Sequence, residues 1–399
     1  MSSPKPSRTH DVGVIVASAA IALALALLSS SGGLGQDRLG PEGQIIARAS
    51  VQHPRNGEAD ILPLANGDLL LVYGRWSSDG GKLGSDFGAA ELWSKTSHDG
   101  GKTWGEDRVV VPNEGKLTTF EAGLLRLPRN GILLSYCVKD SSEDCSICFR
   151  KSFDEGRTWS ERSRYQIPTT EKYTGYTGQN NARLVRLANG RILLPVFDGY
   201  VRGTVLLSFV LYSDDDGKTW KKSGDVDIRK LAPGNTFGAA EPAVVELKDG
   251  RVMMLLRTNL GFIAKSYSSD GGKTWSPPVA IKGLVSPNSP ASVKRIPQTG
   301  DLLLVWNNSN SEERRPLNSA ISKDDGETWG HVRCLDADGG CYTSITPLGD
   351  RILLTYYHHS ASLKLMSVDH RWFNRADANP VSPDRLPSRQ RGVSSHKSP

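Results

Sequence analysis

Short apolar runs that each follow a turn recur along the chain and define its predicted elements. Six segments share this form, a Gly-containing turn and then a continuous apolar strand: 62–73, 125–136, 185–196, 245–256, 294–306 and 346–357. Asn-Gly and Asp-Gly turns between apolar runs are strong hairpin signals. A strand without polar alternation predicts burial on both faces. We therefore expect runs such as 69–73 and 352–357 to be the innermost strands of their sheets.

Five copies of one octapeptide come after these hairpins. Each copy reads Ser-x-Asp-x-Gly-x-Thr-Trp, and the copies begin at Ser97, Ser152, Ser213, Ser268 and Ser322. An Asp side chain that accepts backbone N–H bonds fixes a tight turn, and Gly permits a positive φ. The alternating ligands of a calcium loop are missing. We interpret the octapeptides as structural turns whose Trp wedges between neighbouring sheets. A decayed sixth copy runs from Ser367 to Trp372.

A fixed repeat of this size predicts a repeat architecture. Six units, each holding strand, turn, strand, octapeptide and strand, predict an all-β, six-bladed β-propeller with four-stranded antiparallel blades. We assign this domain to residues 41–375. Closure is expected to pair the early strand 44–49 with the last blade near 363–367. The tail 376–399 is rich in Pro, Ser and Arg and is predicted to be disordered.

The N-terminal segment has the layout of a signal peptide. Lys5 and Arg8 precede an apolar run over 12–28, followed by small residues. The run is short for a membrane span, so we interpret residues 1–36 as a signal peptide cleaved near 31–36. A retained N-terminal anchor stays open, because no clear cleavage motif is present. The expectation is a secreted or periplasmic protein without a stable membrane span.

Composition excludes some functions. The net charge of +6 is modest, and the sequence has no basic stripe with interleaved aromatic residues, so nucleic-acid binding is not expected. Five cysteines allow one or two disulfides with a thiol left over. The Cys145-x-x-Cys148 pair has no second pair to complete a zinc site. We expect no metal and no cofactor.

The octapeptides together with this strand pattern resemble the Asp-box, six-bladed sialidase (neuraminidase) family over residues 44–372. The resemblance implies an exo-α-sialidase-like glycoside hydrolase that removes terminal sialic acid from glycoconjugates with retention. Its partner would be a sialylated glycan or another acidic sugar, and we expect a monomer.

Three arginines from three blades hold the sugar carboxylate in that family. The resemblance implies Arg55, Arg257 and Arg314 for this role, with Arg315 an open rival to Arg314. The sequence motif around Arg55, His-Pro-Arg-Asn-Gly-Glu, departs from the family's Arg-Ile-Pro. Arg75, which ends the first apolar strand, is a further candidate pocket arginine. Guanidinium groups present fixed forks of donors that suit a carboxylate.

The family's nucleophile is a tyrosine, and Tyr342 in Gly-Cys-Tyr-Thr-Ser matches it. A phenol avoids the repulsion that a carboxylate nucleophile would meet from the substrate's own carboxylate. Because a phenol has a pKa near 10, it needs a neighbouring base. Glu241, at the start of Glu-Pro-Ala-Val-Val-Glu, matches this base, and Glu246 is its rival.

The family's general acid/base is an aspartate on a loop of the first blade. Asp86 in Gly-Ser-Asp-Phe-Gly takes this role. Glu91 is the runner-up, and Asp79 is interpreted as a loop turn. Five further residues lie in loops that could face the sugar but equally fit core packing: Trp76, Tyr176, Asn180, Asn181 and Phe237.

Two other functions stay open. One is a hydrolase of another ulosonic or acidic sugar, which the altered sequence motif around Arg55 allows. The other is a non-catalytic, glycan-binding propeller, because fold alone does not determine function. The second alternative predicts that Asp86 or Tyr342 lies away from the remaining candidates.

Overall fold

A computed structural model describes residues 41–78, 85–199, 204–359 and 361–375, and these form six antiparallel sheets around a common centre. The predicted all-β, six-bladed propeller is confirmed. The predicted signal peptide and tail lie outside the described residues. The strands are β1 Gly43–Ala47, β2 Arg55–Pro63, β3 Leu69–Trp76, β4 Ala90–Ser97, β5 Arg108–Val111, β6 Thr118–Arg126, β7 Ile132–Lys139, β8 Cys145–Ser152, β9 Ser163–Tyr165, β10 Thr177–Gly178, β11 Val185–Arg186, β12 Ile192–Asp198, β13 Leu207–Ser213, β14 Lys221–Lys222, β15 Ala240–Glu246, β16 Val252–Arg257, β17 Phe262–Ser268, β18 Val279–Val285, β19 Ser292–Arg295, β20 Leu302–Asn307, β21 Leu317–Ser322, β22 Gly330–Asp336, β23 Ser344–Leu348, β24 Arg351–His358 and β25 Ser362–Asp369.

Each blade takes its strands in chain order. Blade I is β2–β5, blade II β6–β9, blade III β10–β14, blade IV β15–β18 and blade V β19–β22, while blade VI joins β23–β25 to β1. Blade III counts five strands because its first strand is broken, and β10 and β11 pair with different parts of β12. Two 3₁₀ helices cover Ile228–Lys230 and His370–Asn374. Within the described ranges, no helix is long and apolar enough to cross a membrane.

The first and last parts of the domain close the ring in blade VI. Gln44 pairs with Leu365 and Ala47 with Leu363, so β1 becomes the outer strand of a sheet whose other strands come from the end of the domain. The predicted closure is confirmed. All five cysteines are free thiols, so neither of the disulfides allowed by their number is formed.

The predicted position of the apolar strands within the blades is wrong. Segments 69–73 and 352–357 lie in β3 and β24, which are the second strands of their sheets and have a neighbour on each side. The first strands face the centre instead, and β2 contacts β6 and β23 there. The apolar runs are buried because adjacent blades cover both faces of the second strands. The innermost strands carry polar residues toward the axis.

The octapeptides form one repeated turn. In the first copy, Asp99 Oδ1 accepts the N–H groups of Lys102 and Thr103 at 3.0 and 2.9 Å, and Asp99 Oδ2 accepts the Thr103 hydroxyl at 2.6 Å. The Gly101 N–H donates to Ser97 Oγ at 2.8 Å. Among the described residues, no group of His, Cys, Asp or Glu could hold a metal ion. In the decayed sixth copy, Asp369 caps the 3₁₀ helix His370–Asn374 instead.

Each octapeptide also packs its blade against the preceding one. Trp220 of blade III stacks on Phe149 of blade II, with ring centroids 4.4 Å apart. The glycine of the octapeptide also lies against the preceding blade. A Cβ on Gly156 of blade II would lie 2.8 Å from Leu70 Cδ2 in blade I. The turn therefore fixes the contact between blades as well as its own strands.

This contact makes a testable prediction for stability. Gly156 has a φ of +81° and Gly190 a φ of +90°, but a Cβ on Gly190 would meet no atom within 4 Å. Ala at either position costs about 1–2 kcal/mol for its backbone conformation. Gly156→Ala must also displace the buried Leu70, which adds about 1–3 kcal/mol. We expect urea unfolding to show a larger loss for Gly156→Ala than for Gly190→Ala, and equal losses would contradict the interblade contact.

Candidate active site

An irregularity in the innermost strands positions the ionisable side chains of the site. Glu58, Glu121 and Glu241 each lie at a break in the register of a first strand, in blades I, II and IV. Their φ angles are 53°, 63° and 41°, and that of Tyr342, just before the first strand of blade VI, is 58°. Bulges redirect side chains, and non-glycine residues with positive φ are uncommon and concentrate at functional sites. Three blades thus present a glutamate at a bulge, and blade VI presents Tyr342 at a positive φ just before its first strand.

Tyr342, the predicted nucleophile, is held by contacts on its hydroxyl, ring and backbone. Its hydroxyl donates to Glu241 Oε1 at 3.0 Å. Its ring meets Tyr357 edge-on at 5.8 Å, and the Arg314 guanidinium lies 5.4 Å from the ring centroid. The Asn181 amide donates to the Tyr342 carbonyl at 3.1 Å. The phenol therefore faces a carboxylate in a fixed orientation.

Glu241, the predicted base, also forms an ion pair with a predicted clamp arginine. Arg257 Nη1 lies 2.7 Å from Glu241 Oε2, and both side chains are buried. Arg257 Nε donates to Asn288 Oδ1 at 2.7 Å. One carboxylate thus joins Tyr342 of blade VI to Arg257 of blade IV.

The structure separates the two rival arginines near the last octapeptide. Arg314 donates toward Cys341 Sγ at 3.5 Å and the Asn288 carbonyl at 3.4 Å. Burial would lower the pKa of Arg314, but nearby groups, chiefly Tyr342, outweigh it and leave the pKa above its ordinary value. Arg315 is exposed and pairs with Glu313 at 2.7 Å. Arg314 is therefore the residue that lies beside Tyr342 and Arg257.

The adjacent arginines allow a matched comparison. Arg314→Ala removes a donor that faces the site, whereas Arg315→Ala removes an exposed ion pair. A hydrogen bond to a charged group contributes about 1.5–3 kcal/mol, or roughly 10–100-fold in affinity. We expect Arg314→Ala to raise the KM for an acidic glycoside by at least about tenfold, and Arg315→Ala to leave KM within about twofold. Steady-state kinetics with both variants tests this assignment, and the reverse order would overturn it.

Arg55 is enclosed by aromatic and acidic side chains. It donates to the Tyr357 hydroxyl at 2.6 Å, and its guanidinium lies 4.0 Å from the centroid of Trp76. It forms ion pairs with the buried Glu58 and, at 2.5 Å, with Asp86. Burial raises the pKa of Glu58 above its ordinary value despite the opposing effect of Arg55. Glu58 and Tyr357 thus fix the guanidinium from one side, and Asp86 occupies another.

Asp86, the predicted acid/base, joins the site through Arg55, although its side chain is 55% exposed. Burial alone would raise the pKa of Asp86, but the positive charges of Arg55, Lys139 and Arg314 outweigh it and hold the pKa below its ordinary value. The runner-up Glu91 accepts a hydrogen bond from Trp93 Nε1 at 3.2 Å. Asp79 lies outside the described residues.

Arg75 and Glu246 lie elsewhere. Successive residues of a strand face opposite sides, so Trp76 lies under Arg55 while Arg75 points away from it. Arg75 pairs with Asp107 at 2.9 Å and stacks on Trp93 at 4.6 Å. Glu246 ends β15 and accepts the N–H of Ala188 at 2.8 Å, so it links blades IV and III at the turn. We therefore leave both residues out of the proposed site.

Sequence reasoning missed three residues of the site. Glu58 was visible only as a polar residue in the Arg-Asn-Gly-Glu segment. Tyr357 ends an apolar strand and reads as core. Asn288 lies in a Ser-Pro-Asn-Ser-Pro loop without any distinguishing pattern. Of these three, only Glu58 could have been identified from the sequence, because Glu121 and Glu241 occupy the same position of their blades.

The fold and the site together define a class of protein. It is an Asp-box propeller whose centre holds a Tyr, a Glu, an Asp and three Arg side chains. A family model for the BNR repeat-like domain matches residues 53–358. The chain belongs to this family.

Its relatives include sialidases. A sialidase from Micromonospora viridifaciens is 26% identical over 350 residues, which cover 80% of this chain and 52% of that protein. A sialidase from Bacteroides fragilis is 29% identical over 209 residues, 50% of this chain and 36% of that protein. The intramolecular trans-sialidase from Ruminococcus gnavus shares the fold, with a TM-score of 0.66 at 17% identity over 84% of this chain and 99% of that one. This chain spans about half or less of the two sialidases' lengths.

Proposed function

We propose that this protein is a retaining glycoside hydrolase of the exo-α-sialidase type, which removes terminal sialic acid from glycoconjugates. The observation that carries the proposal is the hydrogen bond of 3.0 Å from the Tyr342 hydroxyl to Glu241. A phenol paired with a carboxylate is an activated nucleophile. Arg55, Arg257 and Arg314 around this pair supply the positive charge that an acidic sugar requires.

In the first step, the Tyr342 oxygen attacks the anomeric carbon and its proton passes to Glu241. Asp86, in its protonated form, gives a proton to the departing glycosidic oxygen while the bond to the aglycone breaks. The three arginines hold the sugar carboxylate. The product of this step is a covalent aryl glycoside, in which the Tyr342 oxygen is bonded to the anomeric carbon, with Asp86 now ionised.

In the second step, Asp86 takes a proton from water, and the water oxygen bonds to the anomeric carbon. The bond to Tyr342 breaks, and Glu241 returns the proton to the phenolate. Two displacements at one carbon restore the original configuration, so the proposal predicts retention.

Release of a fluorogenic aglycone from an α-linked sialic acid glycoside tests the proposed function directly. Cleavage by the purified protein supports it. If a well-folded protein releases no aglycone, the proposed activity is wrong for this substrate class. A glycoside of another ulosonic acid in the same assay decides between the proposal and the alternative acidic sugar.

The ion pair between Arg55 and Asp86 bears on how the acid becomes protonated. Arg55 lies 2.5 Å from Asp86 and keeps that carboxyl ionised. A substrate carboxylate at the clamp would neutralise Arg55 and place a second negative charge near Asp86. Both effects raise a carboxyl pKa. Substrate binding would therefore convert Asp86 from an ionised carboxylate to the acid that the first step needs.

This conversion predicts that binding takes up a proton. If the pKa of Asp86 rises on binding, the complex holds more protons than the free protein, so affinity falls as pH rises through the new pKa. Calorimetric titration with an unreactive acidic sugar, in buffers of different ionisation enthalpy, measures the uptake. We expect the uptake to vanish in Asp86→Asn. An unchanged uptake in that variant would show that another group takes the proton.

A further inference from the structure

A lysine with little exposed surface lies beside the proposed acid/base. Lys139 ends β7 and is 5% exposed. Its Nζ lies 4.3 Å from the centroid of the Phe87 ring and 5.5 Å from that of Tyr176. Across the part of the chain that the structure describes, no carboxylate forms an ion pair with Lys139 and no acceptor takes a hydrogen bond from its Nζ. The ammonium group thus contacts two aromatic rings.

Two other lysines with little exposed surface, Lys265 and Lys222, each have an oxygen partner. Lys265 is 7% exposed, and its Nζ donates to the Gly326 carbonyl at 2.8 Å. Lys222 contacts the rings of Tyr173 and Phe209, as Lys139 contacts its own two rings, but it also forms an ion pair with Asp225. Lys139 has the aromatic contacts without the oxygen partner.

The location of Lys139 connects it to the proposed site. Phe87 directly follows Asp86, and the two side chains are 44% and 55% exposed, so solvent reaches this place. The charge of Lys139 acts on Asp86 alongside that of Arg55. Lys139 therefore approaches the site from blade II, which carries none of the three proposed clamp arginines.

We propose that Lys139 is a substrate-binding residue that donates to an oxygen substituent of the acidic sugar. An ammonium has three donors and no acceptor, and the described residues offer the Lys139 Nζ no hydrogen-bond acceptor, so its donors can serve an oxygen of the ligand. The ligand group is a hydroxyl or a carbonyl oxygen, because an N–H or a methyl group offers nothing to accept. The inference rests on the proposed function, since the clamp and Tyr342 must hold the carboxylate and anomeric carbon of the same sugar.

Equilibrium binding of unreactive sugars tests this without turnover. The probe is the 2,3-unsaturated analogue of sialic acid, with three variants that lack in turn the ring hydroxyl, the acyl carbonyl and the side-chain hydroxyls. The proteins are wild type, Lys139→Met and Lys222→Met, the last as a matched control for losing a lysine between two rings. Thermal unfolding checks that each variant is folded.

We expect Lys139→Met to bind the parent sugar about tenfold more weakly, as for the loss of a hydrogen bond from a charged donor. The same substitution should cost much less for the one analogue that lacks the contacted oxygen. Lys222→Met should bind all four sugars like wild type. Three results would overturn the proposal. Lys139→Met could lose the same affinity for all four sugars, it could lose no affinity, or the wild-type protein could bind none of the sugars.

The outcome is separable from that of the proposed function. Wild-type protein that binds these sugars with oxygen-specific coupling to Lys139 but cleaves no sialoside refutes hydrolysis and supports the subsite. Protein that cleaves sialosides, while Lys139→Met binds all four sugars with unchanged relative affinities, supports hydrolysis and refutes the subsite.

Discussion

Replacing Tyr342 by Phe is expected to lower kcat by about a thousandfold or more, because the covalent route loses its nucleophile. The phenyl ring keeps the contacts with Tyr357 and Arg314. The lost atom is the hydroxyl that donates to Glu241 Oε1 at 3.0 Å. The fold should therefore survive, and KM should change far less than kcat. Initial rates with a fluorogenic α-sialoside, together with thermal unfolding, measure both effects.

Tyr356→Phe is the matched control for this experiment. Tyr356 precedes Tyr357 on β24, is buried, and donates to Asp336 at 2.8 Å, so it too loses a hydrogen bond to a carboxylate. Within the described residues, Tyr356 forms no hydrogen bond, ion pair or ring contact with Tyr342 or with the proposed clamp arginines. Activity should persist in Tyr356→Phe. If Tyr342→Phe were as active as this control, Tyr342 would not be the nucleophile.

Replacing Asp86 by Asn is expected to slow the release of a poor leaving group by about 10²–10⁴-fold, the usual contribution of a general acid. An aglycone that leaves readily as an anion needs no proton, so its release in the first step should fall much less. The comparison between two glycosides of the same sugar isolates this role from a general loss of binding. Asn keeps the size of the side chain but cannot transfer the proton.

Glu91→Gln serves as the control for Asp86→Asn, because Glu91 was the alternative acid on the same blade. Its carboxylate accepts a hydrogen bond from Trp93. We expect activity close to wild type on both glycosides. A leaving-group dependence that appears in Glu91→Gln and not in Asp86→Asn would reverse the assignment.

The fold was predictable because each repeat is recognisable from residues that are close together in the sequence. Asp99 and its four equivalents each bond residues within the same octapeptide, so the turn needs no distant partner to be recognised. Burial was harder to interpret. A continuous apolar run predicts that both faces are covered, but it does not say whether neighbouring blades or the axis provide the cover. This is why β3 was assigned to the innermost position that β2 occupies.

The grouping of the candidate residues was predictable where a candidate lies on a strand of known register, and less so in loops. Arg257 ends β16 opposite Ala240, next to Glu241 on β15, so strand pairing brings the two side chains together. Arg75 also ends a strand, but one residue of difference sends it to the face opposite Trp76. Arg314 and Arg315 lie in a loop without a period, and only tertiary contacts separate them.

The shared bulge explains how a repetitive scaffold produces an asymmetric site. The same positive-φ position holds Glu58, Glu121 and Glu241 in three blades, while the corresponding irregular stretch of blade III has Ala182 at φ 57°. The backbone device repeats, and the side chain on it changes. Chemistry therefore varies without altering the blades, whose stability rests on the second strands and the octapeptide turns.

Trapping the covalent intermediate tests the central claim most directly. A sialic acid analogue with fluorine at carbon 3 and a good leaving group slows the second step more than the first, so the sugar accumulates on the nucleophile. Mass spectrometry of the digested protein should then place the added sugar on Tyr342, with no addition in Tyr342→Phe. Attachment to Glu241 or Asp86, or turnover by direct inversion without any adduct, would contradict the account.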